Sequence, residues 1–235
     1  MKKLSDALTP NLIQDLLSQG FVKLPNLKNY ISLELLSDEI ISEINGRTFS
    51  ALTPAHTKLI DGLGLRDDFA ACLYEVAVSA FKFKGRIDNQ YHISRFVSPG
   101  HSRECFRSHF DSHIFTLVLP ISIPHEEAPL CSGELLLKPN ARRHPKSEIE
   151  NICTKLYFKR YASEHSVNIL IKKKLLLIEK FTNMEPLLFL GMTTLHTNAP
   201  VAQFVSKPRL TCLAHYFDPS PRFGVGNLLR SIRGR

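Results

Sequence analysis

The sequence predicts an α+β protein in which a helical first third precedes a β-sandwich or barrel. Apolar residues recur at helical spacing up to about residue 89. From residue 90 they give way to short β-rich runs punctuated by Pro, Gly and Asn. A chain of 235 residues, 43% of them hydrophobic, can bury a real core as one domain.

Thr9-Pro10 reads as an N-cap with proline at the first helical position, and Gly20 closes that helix. Leu12, Ile13, Leu16 and Leu17 form its apolar face, and Phe21 to Pro25 reads as a short strand. Leu33, Leu36, Ile40, Ile41 and Ile44 predict a second helix, which stops at Asn45-Gly46. Phe69, Cys72, Leu73, Val76, Ala77 and Ala80 predict a third. The strand runs are Tyr91 to Val97, Ile114 to Ile123, Glu134 to Lys138, Leu187 to Met192 and Leu210 to Phe217, with Leu175 to Ile178 as a further one. A helical insertion at about 139–180 interrupts them. In it Ser147-Glu-Ile-Glu150 is a capping box, with Ile149, Ile152, Leu156 and Tyr161 on one side. The expected organisation is a single domain over 1–235: a mainly helical part at 1–89, a β core at 90–219 and a basic tail at 220–235.

Composition narrows the function classes. No stretch approaches the length of a membrane-spanning helix, and polar residues stand at the N-terminus where a signal peptide would place its apolar run. A cytoplasmic protein is therefore expected. The five cysteines are scattered without a CxxC pair, which argues against a disulfide framework or structural zinc and for reduced thiols in the core. The net charge of +8 is gathered at Arg142 to His144, at Lys172 to Lys174 and in the tail (Arg222, Arg230, Arg233, Arg235). Without interleaved aromatic platforms these clusters read as solvated surface, so nucleic acid is not favoured as a partner.

The chemistry concentrates in three segments. His109-Phe-Asp111 precedes a β run, and residues two apart in an extended segment face the same side, so the imidazole and the carboxylate can reach one point. An apolar strand from Pro186 turns at Gly191 and delivers His196. Two histidines and one carboxylate on one face of an octahedral metal leave three positions open, as in non-haem iron(II) oxygenases. Arg209-Leu-Thr211 then offers a guanidinium fork for a dicarboxylate, with a hydroxyl on the same strand face.

Over residues 90–219 these segments resemble the 2-oxoglutarate/iron(II) dioxygenase superfamily. His109-Phe-Asp111 with Thr116-Leu117 resembles its HxD segment, and Ser132-Gly133-Glu134-Leu135 resembles its GGL strand. Phe189-Leu-Gly191 through His196 is similar to the strand leading into the distal histidine. Arg209-Leu-Thr211 through Pro219 is similar to the RxS strand that binds 2-oxoglutarate. Ser132 replaces a glycine, Thr211 replaces the serine, and the insertion lengthens the gap between Asp111 and His196.

The resemblance implies a double-stranded β-helix core of the jelly-roll or cupin type. It implies iron(II) on His109, Asp111 and His196, 2-oxoglutarate on Arg209 and Thr211, and O2 as cosubstrate. Asp111, rather than Ala or Gly, disfavours the halogenating branch. His113 shares the face of His109 and Asp111 and is the competing ligand; it otherwise reads as pocket lining, as do Tyr91, Arg95 and Arg107. Each of Arg95, Arg103 and Arg107 has a surface arginine as the plainer reading. His92, His101, His125, His144 and His165 are assigned to surface or loops. The expected activity is hydroxylation, desaturation or cyclisation of a small molecule, in which an acidic group is compatible with the flanking arginines. A nucleic-acid- or protein-modifying oxygenase and a non-catalytic ligand-binding sandwich are the alternatives. Oligomeric state is not legible.

Overall fold

The computed structural model describes residues 3–50, 53–101, 105–126 and 128–220. Arg103 and the basic residues from Arg222 onward lie outside them. α1 (Pro10–Gln19) starts where the Thr9 side chain accepts from the Leu12 N–H. It ends where Gly20, at φ +86°, donates its N–H to the Leu16 carbonyl. α2 (Leu33–Ile44) stops at Asn45, which adopts the left-handed conformation at φ 51°. α3 (Pro54–Gly62) is capped by Thr53 as α1 is by Thr9, and α4 (Asp68–Phe81) follows. No counterpart of α3 was expected, because its core-facing residues Ala55, His56, Leu59 and Ile60 include too few large apolar ones to show a period. Among the described residues, no helix is long and apolar enough to cross a membrane.

The strands form two antiparallel sheets. β1 (Phe21–Lys23), β2 (Phe49–Ser50), β3 (Gln90–Val97), β4 (Phe115–Ser122), β7 (Leu187–Leu190) and β9 (Arg209–Tyr216) make a six-stranded sheet ordered β1-β7-β4-β9-β3-β2. β5 (Leu135–Lys138), β6 (Leu177–Glu179) and β8 (Leu195–Asn198) make a three-stranded sheet ordered β6-β5-β8. Each predicted strand is present with ends shifted by a residue or two; β2, only two residues long, and the four-residue β8 were not predicted.

Side-chain alternation gives the large sheet two different faces. Phe115, Leu117, Leu119 and Ile121 of β4 and Leu210, Cys212, Ala214 and Tyr216 of β9 pack against the helices in the main core. The opposite residues turn toward the small sheet, where Val118, Leu187 and Phe189 meet Leu135, Leu137 and Phe181. The result is the two-sheet jelly roll implied by the resemblance, with the helical layer covering one outer face. The register aligns Arg95 with Thr211, and aligns both Tyr91 and Thr116 with His215. Polar residues of three strands thus share the inner face.

The insertion departs from expectation. α5 (Glu148–Phe158) has the expected cap, with Ser147 accepting from the Glu150 N–H, and α6 (Glu164–Lys172) follows it. The apolar side of α5 is not core, however. Ile149 is 73% exposed and Leu156 62% exposed, because the helix lies at the rim of the sandwich. Arg142 holds it there, and is not the solvated charge its cluster suggested. Its guanidinium donates to the Met192 carbonyl at 2.6 Å and the Asn151 side chain at 2.8 Å, and stacks 4.1 Å from the centroid of Phe110. Further corrections are that Cys153 is exposed and that Arg95 and His92 are buried.

His92 and His56 lie on the helix side of β3. His56 Nδ1 pairs with the Ser94 hydroxyl at 2.9 Å, and His92 Nε2 with the Gln90 side chain at 3.1 Å. Burial, with the Arg66 cation second, lowers His56 to about 4 and His92 to about 3. Both rings are neutral in the folded state over the range in which the unfolded chain takes up protons, so acid favours unfolding. Each should cost about 2 kcal/mol between pH 6.5 and 4.5. Urea unfolding at these two pH values should show that loss, and His92→Gln should flatten the dependence.

Candidate metal centre

The metal-ligand candidates meet where the chain crosses between the sheets. β7 ends at Leu190, a turn over Gly191 to Thr194 follows, and β8 begins at Leu195 in the other sheet. The segment carrying His109 and Asp111 runs antiparallel beside that crossing. The Asp111 N–H donates to the Gly191 carbonyl at 3.1 Å, and the Gly191 N–H to the Ile114 carbonyl at 2.8 Å. His109 and His196 exchange two backbone hydrogen bonds of 3.0 Å each. Directly opposed residues of an antiparallel pair place their side chains on one face, and the two imidazole rings stand 4.4 Å apart.

His109, Asp111 and His196 offer donor atoms that all lie within 4.8 Å of one another. Asp111 is 3.7 Å from His109 Nε2 through Oδ1 and 3.6 Å from His196 Nε2 through Oδ2. Both histidines have their other nitrogen committed. His109 Nδ1 donates to the Arg107 carbonyl at 2.8 Å, and His196 Nδ1 to the Thr194 carbonyl at 3.1 Å. These bonds leave each Nε2 lone pair for a metal. Burial pushes His196 down to about 4, against the pull of Asp111, so it is neutral at physiological pH. Burial would raise Asp111, but His196, His215 and His109, with the Thr116 hydrogen bond, outweigh it and hold the carboxyl well below its usual range. One carboxylate and two imidazoles fit iron(II).

Three residues to which the sequence assigned no site role, Thr116, His215 and Gly191, support Asp111. The Thr116 hydroxyl donates to Oδ2 at 2.5 Å and faces His215 Nδ1 at 3.1 Å, an arrangement consistent with His215 donating back. A Cβ on Gly191 would lie 2.7 Å from that hydroxyl and 3.0 Å from Asp111 Cβ, so only glycine lets the two strands close on the carboxylate. The signal for His215 was the period of two: Arg209, Thr211, Leu213 and His215 share one face of β9.

The other predicted residues divide between two places. Arg209 is 2% exposed, and its Nη1 donates to the Thr211 hydroxyl at 3.4 Å. Its Nε has no hydrogen-bond partner among the described residues. The side chain passes beneath Gly133, where a Cβ would come within 2.5 Å of Arg209 Cδ. Burial lowers it to about 9, with Arg95 adding to the push, so it remains a cation that fits the distal carboxylate of 2-oxoglutarate. Arg95 and Arg107 line a cleft of about 880 Å³ that opens beside His109. Tyr91 and His113 do not line it. They flank His215, with ring centroids 6.0 Å and 5.2 Å away. His113 is outside the close donor cluster.

No family model and no curated protein sequence matches the chain. Solved structures do. A prolyl-4-hydroxylase from Pseudomonas putida aligns at TM-score 0.52 and 11% identity, over 88% of this chain and 97% of its own. The chain shares its fold. A prolyl hydroxylase from Trichoplax adhaerens, in complex with a hypoxia-inducible-factor oxygen-degradation-domain peptide, aligns at TM-score 0.54 and 13% identity, over 92% and 89% of the two chains. The non-haem alpha-ketoglutarate-dependent epimerase SnoN from nogalamycin biosynthesis aligns at TM-score 0.50 and 12% identity, over 88% and 81%.

The supports of Asp111 are open to measurement. Thr116→Val should weaken iron(II) binding about ten- to a hundredfold, read by anaerobic competition with a chromophoric chelator. Gly191→Ala should reduce metal affinity at least as far and also lower the melting temperature, since both strands must shift.

Proposed function

We propose that the protein is an iron(II)- and 2-oxoglutarate-dependent oxygenase acting on a small molecule. The observation that carries this reading is a His-Asp-His cluster on the same inner strand faces as a buried arginine with an unsatisfied Nε. His109, Asp111 and His196 would hold the metal, while Arg209 and Thr211 would hold the distal carboxylate of 2-oxoglutarate. With both bound, the centre supplies oxidation of a substrate C–H bond by O2 as 2-oxoglutarate becomes succinate and CO2. Hydroxylation is the simplest outcome, with desaturation and cyclisation as variants.

The chain's own residues set the conditions for that chemistry. Asp111 is kept ionised by its neighbours and aimed by Thr116. Both histidines are oriented by backbone carbonyls, so the donor set needs little rearrangement before binding a metal. Phe189 lies 4.9 Å from the His196 ring and excludes water from its inner side. His109, whose side chain is 55% exposed, leaves the cleft side open for substrate. A peptide substrate is the second reading, favoured by the prolyl hydroxylases among the structural neighbours.

Anaerobic addition of iron(II) and 2-oxoglutarate to the purified protein should develop a visible charge-transfer band. Asp111→Ala should abolish that band and any succinate formation. Arg209→Met should raise the 2-oxoglutarate concentration needed for half-saturation by tenfold or more while leaving iron(II) affinity nearly unchanged. Succinate formation that survives Asp111→Ala would refute the reading.

A further inference from the structure

The insertion at 139–180 carries a surface that the metal centre does not use. Of the fourteen large apolar side chains exposed among the described residues, seven lie in it, although it is less than a fifth of the chain. It also holds ten Lys and Arg against four Asp and Glu, so six of the chain's eight net positive charges arise there. Exposed apolar side chains gathered with charge of one sign mark an interaction surface rather than a solvated face.

α5 and the turn after it arrange both features along one line. Ile149, Cys153, Leu156 and Arg160 follow at intervals of four, three and four residues, so they form one stripe, and all four are exposed. Tyr157, 56% exposed, stands beside it. At the end of the stripe the Arg160 guanidinium lies 3.7 Å from the Tyr157 ring centroid and 4.9 Å from that of Tyr161, and it donates to both phenol hydroxyls. Stacking on two rings holds this cation against the stripe. Lys159 is exposed next to it, and Lys172, Lys173 and Lys174 add three exposed cations at the end of α6.

An occupant of this stripe must answer cations and bury aliphatic side chains together. A second copy of the chain would bring the same cations and repel. A nucleic acid answers the charge, but its stacked bases seek aromatic platforms, which Ile149 and Leu156 are not. A protein hot spot seats its anchors in a pocket, whereas these side chains project from a convex helix. Projecting Ile, Leu and Tyr flanked by Lys and Arg suit the plane of an anionic bilayer, with aliphatic groups at the acyl boundary and Tyr and Arg among the headgroups. We propose that the exposed stripe of α5, with the turn that follows it, docks the protein on an anionic lipid surface. Leu156 and Lys159 also line the cleft beside His109, so docking sets the mouth of the cleft against the lipid. Neither the surface nor its test depends on the metal centre.

The full chain is floated with vesicles of phosphatidylcholine alone and of phosphatidylcholine mixed three to one with phosphatidylglycerol. The mixed vesicles should bind about tenfold more tightly or better, and added salt should weaken that binding. Replacing both apolar residues (Ile149→Ser with Leu156→Ser) should cost about tenfold or more in vesicle affinity. Arg160→Gln should weaken it several-fold and reduce its salt dependence. Leu35→Ser, an exposed leucine of α2 outside the insertion, should leave it unchanged. Cys153, the exposed cysteine among the described residues, takes an environment-sensitive fluorophore without any substitution, and its emission should shift to the blue on mixed vesicles. Poly-L-glutamate and oligothymidylate serve as soluble polyanions and should bind without sensitivity to the Ile149 and Leu156 changes. Three results would overturn the proposal: no preference for the mixed vesicles, vesicle binding that leaves the fluorophore unshifted, or a soluble polyanion that binds as tightly as the vesicles and depends equally on Ile149 and Leu156. The third would assign the surface to an acidic protein or a nucleic acid instead.

Discussion

The pair of backbone hydrogen bonds between His109 and His196 is the constraint on which the site depends. Each residue both donates to and accepts from the other, so the two imidazoles are fixed by main chain before any metal arrives. A side-chain contact could be lost to rotation; a doubly bonded backbone pair moves only if both strands move. The pairing also explains why Gly191 has no side chain. The crossing from β7 to β8 must come close enough to the Asp111 segment for its carbonyl to receive the Asp111 N–H, and a methyl group would hold the strands apart.

From that pairing the electrostatics follow in order. Two imidazoles brought together on one face repel if both are protonated, and burial already favours neutral His196. Asp111 between them gains from any positive charge nearby, a metal ion above all. Thr116 and His215 then restrict the carboxylate from behind, so its lone pairs point where the Nε2 atoms converge. On the same strand as His215, Arg209 is placed deeper by the two-residue alternation of β9. One strand therefore supplies both a support for a proposed metal ligand and the cation proposed for the cosubstrate.

How much of this was legible in the sequence depended on the physical range of each signal. Local signals were clear: Thr9-Pro10 and Gly20 bounded α1, and the alternation from Arg209 to Tyr216 marked β9. Thr53-Pro54 carries the same cap signal as Thr9-Pro10, but α3 has too short an apolar run for periodicity to reveal it. His109, Asp111, His196 and Arg209 stood out because their chemistry requires those residue types at those strand positions. His215 and Gly191 did not, because their roles depend on which strand lies opposite, and strand order is a long-range property. Arg95 read as a surface cation for the same reason; its burial comes from β2 and β9 on either side.

The exposed apolar side of α5 gives the last step. Amphipathic spacing says that a helix has an apolar side, not what that side meets. In α1 and α4 it meets the large sheet, and those helices belong to the main core. In α5 only Asn151 is buried, and Arg142 binds that residue through its side chain, so a polar clamp joins the edge contact of Phe158 with Phe110 as the anchor. A helix fastened in this way leaves Ile149 and Leu156 largely exposed. Leu156 and Ile152 line the cleft beside His109, the one of the three proposed metal ligands whose side chain is largely exposed. The insertion that lengthens the chain between Asp111 and His196 thus forms a wall of the cleft where a substrate would meet the metal.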